Sequence, residues 1–335
     1  MKSCVFLAGV SAFVFALGCG SGPSEREPGA DGDGVTHREI VSRVTSALDA
    51  CPPLPGPGSS TYAATRHPIV LIPGFVGFKA ILGTVEYFPG IVSALEDGGA
   101  RAFIAIASQA ESSENRGNQL IPQLEQIKRC THADKLNLIA HSQGSLDARY
   151  IAAVRPDLVA SVTGVAGPHL GTPVADVFLA LPLGVQAVGV LADFFKILSG
   201  SPNPNDARRS LEAMSLAGAA AFARRYPAGV PTTPCGEGEP VVGGIRYYSW
   251  SASGWLTNPL DLLDPMWPVL GVNQREASDG LVGRCSSHLG EVLRDDYYGN
   301  HADETNMLFG LVFPFGPNPK TLFRAHANRL KNVGL

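Results

Sequence analysis

From about residue 61 to the C-terminus, short uninterrupted apolar runs alternate with longer stretches in which apolar positions recur at helical spacing. The short runs, bounded by Pro, Gly and charged residues, read as buried strands and the longer stretches as amphipathic helices. Their alternation is the signature of βα units around a mostly parallel sheet. The pattern predicts strands over residues 67–73, 102–107, 135–140 and 160–166, and helices over 85–98, 115–129, 144–154 and 322–330. No internal repeat is visible.

One stretch departs from this alternation. Residues 177–192 carry no charge and are strongly apolar, so a membrane span and a buried core helix both have to be weighed. Pro182, Gly184 and Gly189 interrupt the run, Asp176, Asp193 and Lys196 flank it, and it falls short of the roughly 20 residues a span requires. It is read here as a helical, apolar lid over about residues 172–215.

The N-terminus has a different character. Lys2 precedes an apolar stretch over residues 5–17, and Ala16-Leu17-Gly18 offers small residues at a cleavage point, so residues 1–18 read as a signal peptide. Cleavage there would leave Cys19 first, and Ala-Leu-Gly-Cys resembles the lipobox of bacterial lipoproteins, in which that cysteine is acylated and tethers the protein to a membrane. An ordinary secretory signal is the alternative, and both readings export the protein. Residues 19–60 are rich in Gly, Pro and Ser, as expected of a flexible tether, although Ile40, Val41, Val44 and Leu48 keep the spacing of a short helix. The remainder, 61–335, is read as one domain.

Composition narrows the class. Of 335 residues 45% are hydrophobic and 17% charged, ample for a large core. The formal net charge of -4 comes without a Lys/Arg cluster, which excludes nucleic acid as a partner. Beyond Cys4 and Cys19 there are four cysteines, Cys51, Cys130, Cys235 and Cys285, which an exported protein can pair in three ways.

Candidate chemistry centres on Ala140-His141-Ser142-Gln143-Gly144, set between a predicted buried strand and a predicted helix. A serine nucleophile at such a sharp turn needs small residues two positions to either side, where larger ones would strike the adjoining strand and helix. The serine needs a base, and the base an acid to orient it. In this kind of arrangement the order along the chain is serine, acid, histidine, which leaves His169, His288, His301 and His326. His169 follows the serine too closely to admit an acid strand between them, His288 sits beside Cys285, and His326 lies within an amphipathic helix. His301, on a loop entering a helix, is the predicted base, and Asp279, in a glycine-flanked turn, the predicted acid. His141 should point away from the pocket. Two backbone amides would hold the oxyanion: that of Gln143, next to the serine, and that of Phe75 in the glycine-rich loop 72–77 after the first strand.

These residues, with Asp279-Gly-Leu-Val-Gly-Arg-Cys-Ser-Ser-His-Leu-Gly290, Asn300-His-Ala-Asp-Glu-Thr-Asn306, His326-Ala-Asn-Arg-Leu-Lys331 and the run from Arg149 through Ala160-Ser161, resemble the secreted triacylglycerol lipases of Pseudomonas and Burkholderia from about Tyr62 onward. The resemblance implies an α/β-hydrolase fold, with helices on both faces of a mostly parallel central sheet, and the triad Ser142, Asp279 and His301. It further implies a Cys235–Cys285 disulfide, which leaves the pairing of Cys51 and Cys130 open. It also implies one structural Ca2+ held by Asp261, Asp303 and the backbone carbonyls of Met307 and Leu311, with Asp264 a rival ligand, and in many relatives a membrane-anchored foldase. Hard oxygen ligands with two carboxylates suit calcium. Two departures stand out: Pro73-Gly74 where relatives read His-Gly, and Ala140 where they have glycine. The implied activity is hydrolysis of acylglycerol esters. A carboxylesterase acting on short soluble esters, and a non-catalytic tethered binding protein on a hydrolase scaffold, are the competing readings.

Overall fold

The computed structural model describes residues 51–335, apart from residues 57 and 82 and the side chains of Leu308 and Phe309. The signal segment 1–18, Cys19 and the helix expected within 38–50 lie outside the described residues. In chain order the strands are β1 (Ile69–Ile72), β2 (Ala80–Ile81), β3 (Val85–Glu86), β4 (Ala102–Ile104), β5 (Leu136–His141), β6 (Val159–Val165), β7 (Val241–Val242), β8 (Ile245–Ala252) and β9 (Glu291–Tyr297). β4, β1, β5, β6, β8 and β9 lie side by side in that order and all pair in parallel. β7 adds a short antiparallel pairing to the start of β8, and β2 and β3 form a separate hairpin.

Helices cover both faces of this sheet, as burial of a parallel sheet requires. Along β1, Val70 and Ile72 point to one face, where Leu138, Ala140 and Val162 join Leu120 and Leu124 of α2 (Ser113–Thr131) and Ile151 of α3 (Gln143–Val154). Ile69 and Leu71 point to the other, where they meet Ile139, Val165 and Trp250, Ile91 and Leu95 of α1 (Ile91–Asp97) and Phe323 and Ala327 of α10 (Pro319–Asn332). The alternation along β1 and β5 is the two-residue period of a strand whose two faces are both buried. The predicted helices over 115–129, 144–154 and 322–330 and all four predicted strands are present, with ends shifted by a few residues.

The helix expected over 85–98 is a correction. Val85–Glu86 is instead the second strand of the hairpin, and only Ile91–Asp97 is helical. Pro89 stands before the helix with no N–H to offer, and Gly90 adopts φ 68 at the cap, a conformation glycine takes without steric cost. The helix therefore begins after this pair rather than running through it.

Between β6 and β7 the chain makes α4 (Pro173–Ala180), α5 (Gly184–Ser199), α6 (Ala207–Met214) and α7 (Leu216–Arg225). The uncharged stretch thus folds as α4 and α5, bent by 110° where Pro182 breaks them, and among the described residues no single helix is long and apolar enough to cross a membrane. After β8 come α8 (Met266–Gly271) and, following β9, α9 (Met307–Gly310). Both cysteine pairs are bridged, Cys51 with Cys130 and Cys235 with Cys285. Within the segment read as tether, Cys51 is therefore fixed to α2, and Ser59 and Ser60 hydrogen-bond to the Asp97 carbonyl at the end of α1.

His326 shows how α10 is fastened. Its ring is 1% exposed among Tyr248 and Trp250; Arg329 donates to Nδ1, so Nε2 carries the proton and donates to Thr163 Oγ1 on β6 at 2.8 Å. Burial, reinforced by the Arg329 charge, lowers its pKa to about 3. The unfolded chain takes up a proton below its ordinary value of about 6.5 while the folded ring does not, so stability is lost as pH falls below that value, at about 1.4 kcal/mol per unit. Between pH 7 and pH 4.5, urea denaturation should show the wild type losing about 2–3 kcal/mol more than His326→Gln. Equal losses would mean that the buried ring is already charged in the fold.

Candidate active site

β5 ends at His141 and α3 begins at Gln143, so Ser142 alone carries the change of direction, at φ 54 and ψ -130. A non-glycine residue in such a conformation costs on the order of 1–3 kcal/mol and persists only where its surroundings dictate it. Here the Ser142 N–H donates to the Val165 carbonyl on β6 at 2.9 Å, and its own carbonyl accepts from Ser145 N at 2.9 Å. The requirement for small neighbours is met. Ala140 is wholly buried, and a Cβ on Gly144 would stand 2.7 Å from the carbonyl oxygens of both Ile72 and Pro73. A Cβ on Gly74 would stand 2.6 Å from that of Ser142, so the loop after β1 lies directly against the serine.

Asp279 and His301 are brought together, with Nδ1 of the ring 2.7 Å from Asp279 Oδ2. The other carboxylate oxygen accepts from the amides of Leu281 (2.8 Å) and Val282 (2.7 Å), and the His301 N–H donates to the Asp279 carbonyl. Asp279 is therefore a turn aspartate and a histidine partner at once, since the turn orients the oxygen that meets the ring. His301 lies beside the elbow: its ring centroid is 4.5 Å from that of His141 and 6.3 Å from that of Trp267 on α8. No hydrogen bond joins Ser142 Oγ to the ring in this structure. Such bonds in unliganded sites commonly tighten only with substrate in place. Asp279, His301 and Ser142 are 0%, 5% and 7% exposed, so the site is covered.

Of the two expected oxyanion donors, Gln143 directly follows Ser142, and Phe75 follows Gly74, which lies against Ser142. Among the described residues, neither the Phe75 nor the Gln143 amide donates to another protein group. The loop bearing Phe75 is held by Arg116 of α2, a residue that the helical pattern alone did not single out. Its buried guanidinium donates to the carbonyls of Pro73 (2.8 Å), Gly74 (3.1 Å) and Ser108, and pairs with Asp147 of α3 at 2.8 Å. One ion pair thus ties the loop to the helix that starts at the serine. The Gln143 side chain is engaged as well, donating to the Glu111 carbonyl and accepting from Ser210 of α6 at 2.9 Å.

The other predicted residues also have their places. His169 is buried with Nδ1 against Arg149, and His288 bridges the Gly236 carbonyl and Asp295, so neither approaches Ser142. His141 is buried and turned onto Tyr87 and the His301 carbonyl. Glu304 went unmarked in the sequence. It accepts from Ala252 N at 2.9 Å, and burial together with the Asp279 charge pushes its carboxyl well above the usual range.

Asp261, Asp264 and Asp303 form one buried acidic group. Asp264 is saturated by Thr257 N (2.6 Å), Asn258 N (2.7 Å), Asn300 Nδ2 (2.8 Å) and Thr257 Oγ1 (3.2 Å). Asp261 accepts from Leu263 N and Asp303 from Asn300 N. Burial, helped by the negative charges of Asp264 and Asp261, raises the Asp303 carboxyl to about 6. Two buried carboxylates with acceptor capacity to spare, next to the segment of Met307 and Leu311, make a donor set that fits a hard divalent cation.

Comparison with known proteins follows the geometry. The family model for the α/β-hydrolase fold matches residues 67–259. A triacylglycerol lipase of Vibrio cholerae is 47% identical over 283 residues, covering 82% of this chain and 90% of its own length. One from Pseudomonas fragi is 42% identical over 290 residues, covering 81% and 98%. One from Burkholderia plantarii is 34% identical over 319 residues, covering 83% and 89%. Among solved structures, a Bacillus licheniformis lipase shares the fold with a TM-score of 0.56 at 16% identity, covering 83% of this chain and 97% of that one. The sheet, the elbow and these matches define an α/β-hydrolase. Within that class the chain belongs to the family of bacterial triacylglycerol lipases.

Alanine in place of glycine favours a helix by about 1 kcal/mol, but overpacking against unyielding backbone costs about 1–3 kcal/mol. Because the atoms facing Gly144 are carbonyl oxygens of the β1 loop, the clash should prevail. Gly144→Ala should be less stable than wild type by urea denaturation, and a variant as stable as wild type would show that the turn has room to spare.

Proposed function

We propose that this chain hydrolyses triacylglycerols through an acyl-enzyme on Ser142. The observation that carries the reading is a strained serine at the strand–helix turn beside a buried Asp279–His301 pair 2.7 Å apart. Ser142 Oγ attacks the ester carbonyl carbon while its proton passes to His301 Nε2, and Asp279 stabilises the ring through Nδ1–H. The carbonyl oxygen takes up negative charge between the amides of Phe75 and Gln143. Collapse breaks the ester C–O bond, and the proton on Nε2 leaves with the diacylglycerol alcohol. Water then attacks the acyl-enzyme, giving its proton to His301, and the fatty acid departs as Ser142 recovers its hydrogen.

A lipase is favoured over an esterase for short soluble esters by the helical insertion above the site. Leu181, Leu183, Val190, Leu191, Phe194 and Ile197 of the α4–α5 region are 45–78% exposed, an apolar surface suited to a lipid aggregate. Within the lid read over 172–215, α6 is fastened to the elbow through Ser210, and α5 is held by Gln109 on Ser199 and by the stacking of Phe195 on Phe78. The two disulfides support export to an oxidising compartment by the signal at 1–18, with Cys19 acylated or simply the first residue of a soluble enzyme. A dedicated foldase belongs to the same reading. A non-catalytic binding role has no observation in its favour.

A Ca2+ at Asp261 and Asp303, completed by the Met307 and Leu311 carbonyls, would neutralise the buried carboxylates and pin the segment after His301 to the loop after β8. Its contribution would be structural, holding His301 in place.

Ser142→Ala should fold with wild-type stability and lose about 10⁴ to 10⁶ in turnover on emulsified long-chain triacylglycerol, where activity within tenfold of wild type would end the hypothesis. The wild type should hydrolyse p-nitrophenyl palmitate above its solubility faster than the soluble acetate; the reverse order would favour an esterase. EDTA should lower the melting temperature and activity together, because a ligand that binds only the folded state stabilises it, by about 2.7 kcal/mol at a hundredfold excess over Kd. Asp303→Ala should mimic chelation and Asp264→Asn should not abolish the calcium response. Identical melting curves with EDTA and with added calcium would remove the metal from the scheme.

A further inference from the structure

Two buried side chains that the hydrolytic steps leave unused join the Phe75 loop to His301. Tyr87, just after β3, is 2% exposed, and His141, the last residue of β5, is 1% exposed. The Tyr87 oxygen lies 3.1 Å from Gly74 N and 2.8 Å from His141 Nδ1, and His141 Nε2 lies 3.1 Å from the His301 carbonyl oxygen. Only one arrangement of protons satisfies all three contacts. The His301 carbonyl can only accept, so Nε2 must carry the hydrogen. The neutral ring then offers Nδ1 as an acceptor, the Tyr87 hydroxyl donates to it, and the phenol oxygen accepts from Gly74 N–H. Burial lowers the His141 pKa well below, and raises the Tyr87 pKa above, their ordinary values, which keeps both groups neutral.

The two ends of this chain of bonds fall on the proposed machinery. At one end, the peptide joining Pro73 to Gly74 is held on both sides, its N–H by Tyr87 and its carbonyl by Arg116. The next peptide has its Gly74 carbonyl held by Arg116 and by Gly77 N at 3.2 Å. A peptide is planar and trans, so fixing that carbonyl sends the Phe75 N–H in the opposite direction. At the other end, the His301 backbone is held through its carbonyl by His141 and through its N–H by Asp279, while the two imidazoles lie 4.5 Å apart. The relay thus spans the serine from one side to the other.

We propose that Tyr87 and His141 are positioning residues that act as one unit, holding the Phe75 amide and the His301 imidazole in register around Ser142. This rests on the triad reading above. Both side chains are buried, and each works through the backbone it holds. A buried pair that merely fills the core would carry the same hydrogen bonds but would not govern the chemical step.

The test is made on the full, folded enzyme. Tyr87→Phe keeps the ring and removes the hydroxyl, so kcat on a soluble p-nitrophenyl ester should fall about 10- to 100-fold, in line with the cost of a misplaced oxyanion donor, while KM stays within about twofold. His141→Gln should do the same, and the double variant should be no worse than the poorer single one, because the two act as a unit. In ¹⁵N-histidine-labelled wild type, long-range ¹H–¹⁵N correlation should show His141 as the neutral Nε2–H tautomer, a readout that does not depend on any variant folding. A kcat within twofold of wild type in Tyr87→Phe, a rise in KM without a fall in kcat, multiplicative losses in the double variant, or an Nδ1–H or charged His141 would each overturn the proposal. If Ser142→Ala is inactive while Tyr87→Phe is unimpaired, the relay alone fails; if Ser142→Ala is active, the lipase mechanism fails with it.

Discussion

The constraint on which this molecule turns is the backbone of Ser142. A single residue at positive φ lets the chain pass from the end of β5 into α3 without a loop, which lifts the serine to the carboxyl edge of the sheet. That conformation is unfavourable by itself and has to be imposed. Parallel pairing of β5 between β1 and β6 fixes the strand, α3 packs on the sheet through Ile151 and Ala148, and neither Gly144 nor Gly74 has room for a Cβ. Asp279 and His301 lie on loops that follow β8 and β9, so all three side chains come from the same edge, where open α/β sheets present their ligand sites.

Around that edge several buried polar groups hold one another in place. Arg116 and Asp147 are both buried, and the cost of removing two charges from water is offset by the ion pair and three carbonyl acceptors. Such a pair contributes little to net stability compared with apolar residues of the same size. Its geometric effect is larger: a rigid guanidinium fork fixes two consecutive carbonyls of the Phe75 loop. The carboxylate of Asp279 and the Tyr87–His141 pair follow the same logic, with each buried polar atom spent on fixing a neighbour's orientation.

The insertion between β6 and β7 works against the usual rule for surfaces. Its inner side joins a core cluster with Val188, Ala192, Leu211 and Phe222, against which Phe75 itself packs, while its outer side leaves large apolar residues in water. That inner side therefore rests on the loop bearing Phe75. A surface of that kind gains free energy by meeting an apolar phase, which is the physical link between the fold and a substrate that is itself an aggregate.

Much of this was legible in the amino-acid sequence, because the signals concerned are local. The elbow is five consecutive residues between a strand pattern and a helix pattern, and the buried strands announce themselves as apolar runs. Asp279 and His301 could be chosen by chain order and turn chemistry, and the Cys235–Cys285 disulfide is the one the family resemblance implied, whereas only the folded chain decides that Cys51 pairs with Cys130. What remained hidden depends on partners far apart in the chain. Arg116 reads as one more polar residue on a helix, yet its acceptor Pro73 is 43 residues away; Tyr87 reads as part of a helix that begins only at Ile91, yet it meets His141 at a separation of 54; His141 reaches His301 across 160. Periodicity and turn chemistry report on forces between near neighbours and so determine the strands, the elbow and the candidate nucleophile. Which buried polar groups meet is decided only when the sheet closes, since a hydrogen bond in the interior is set by the distance between atoms and not by the distance along the chain.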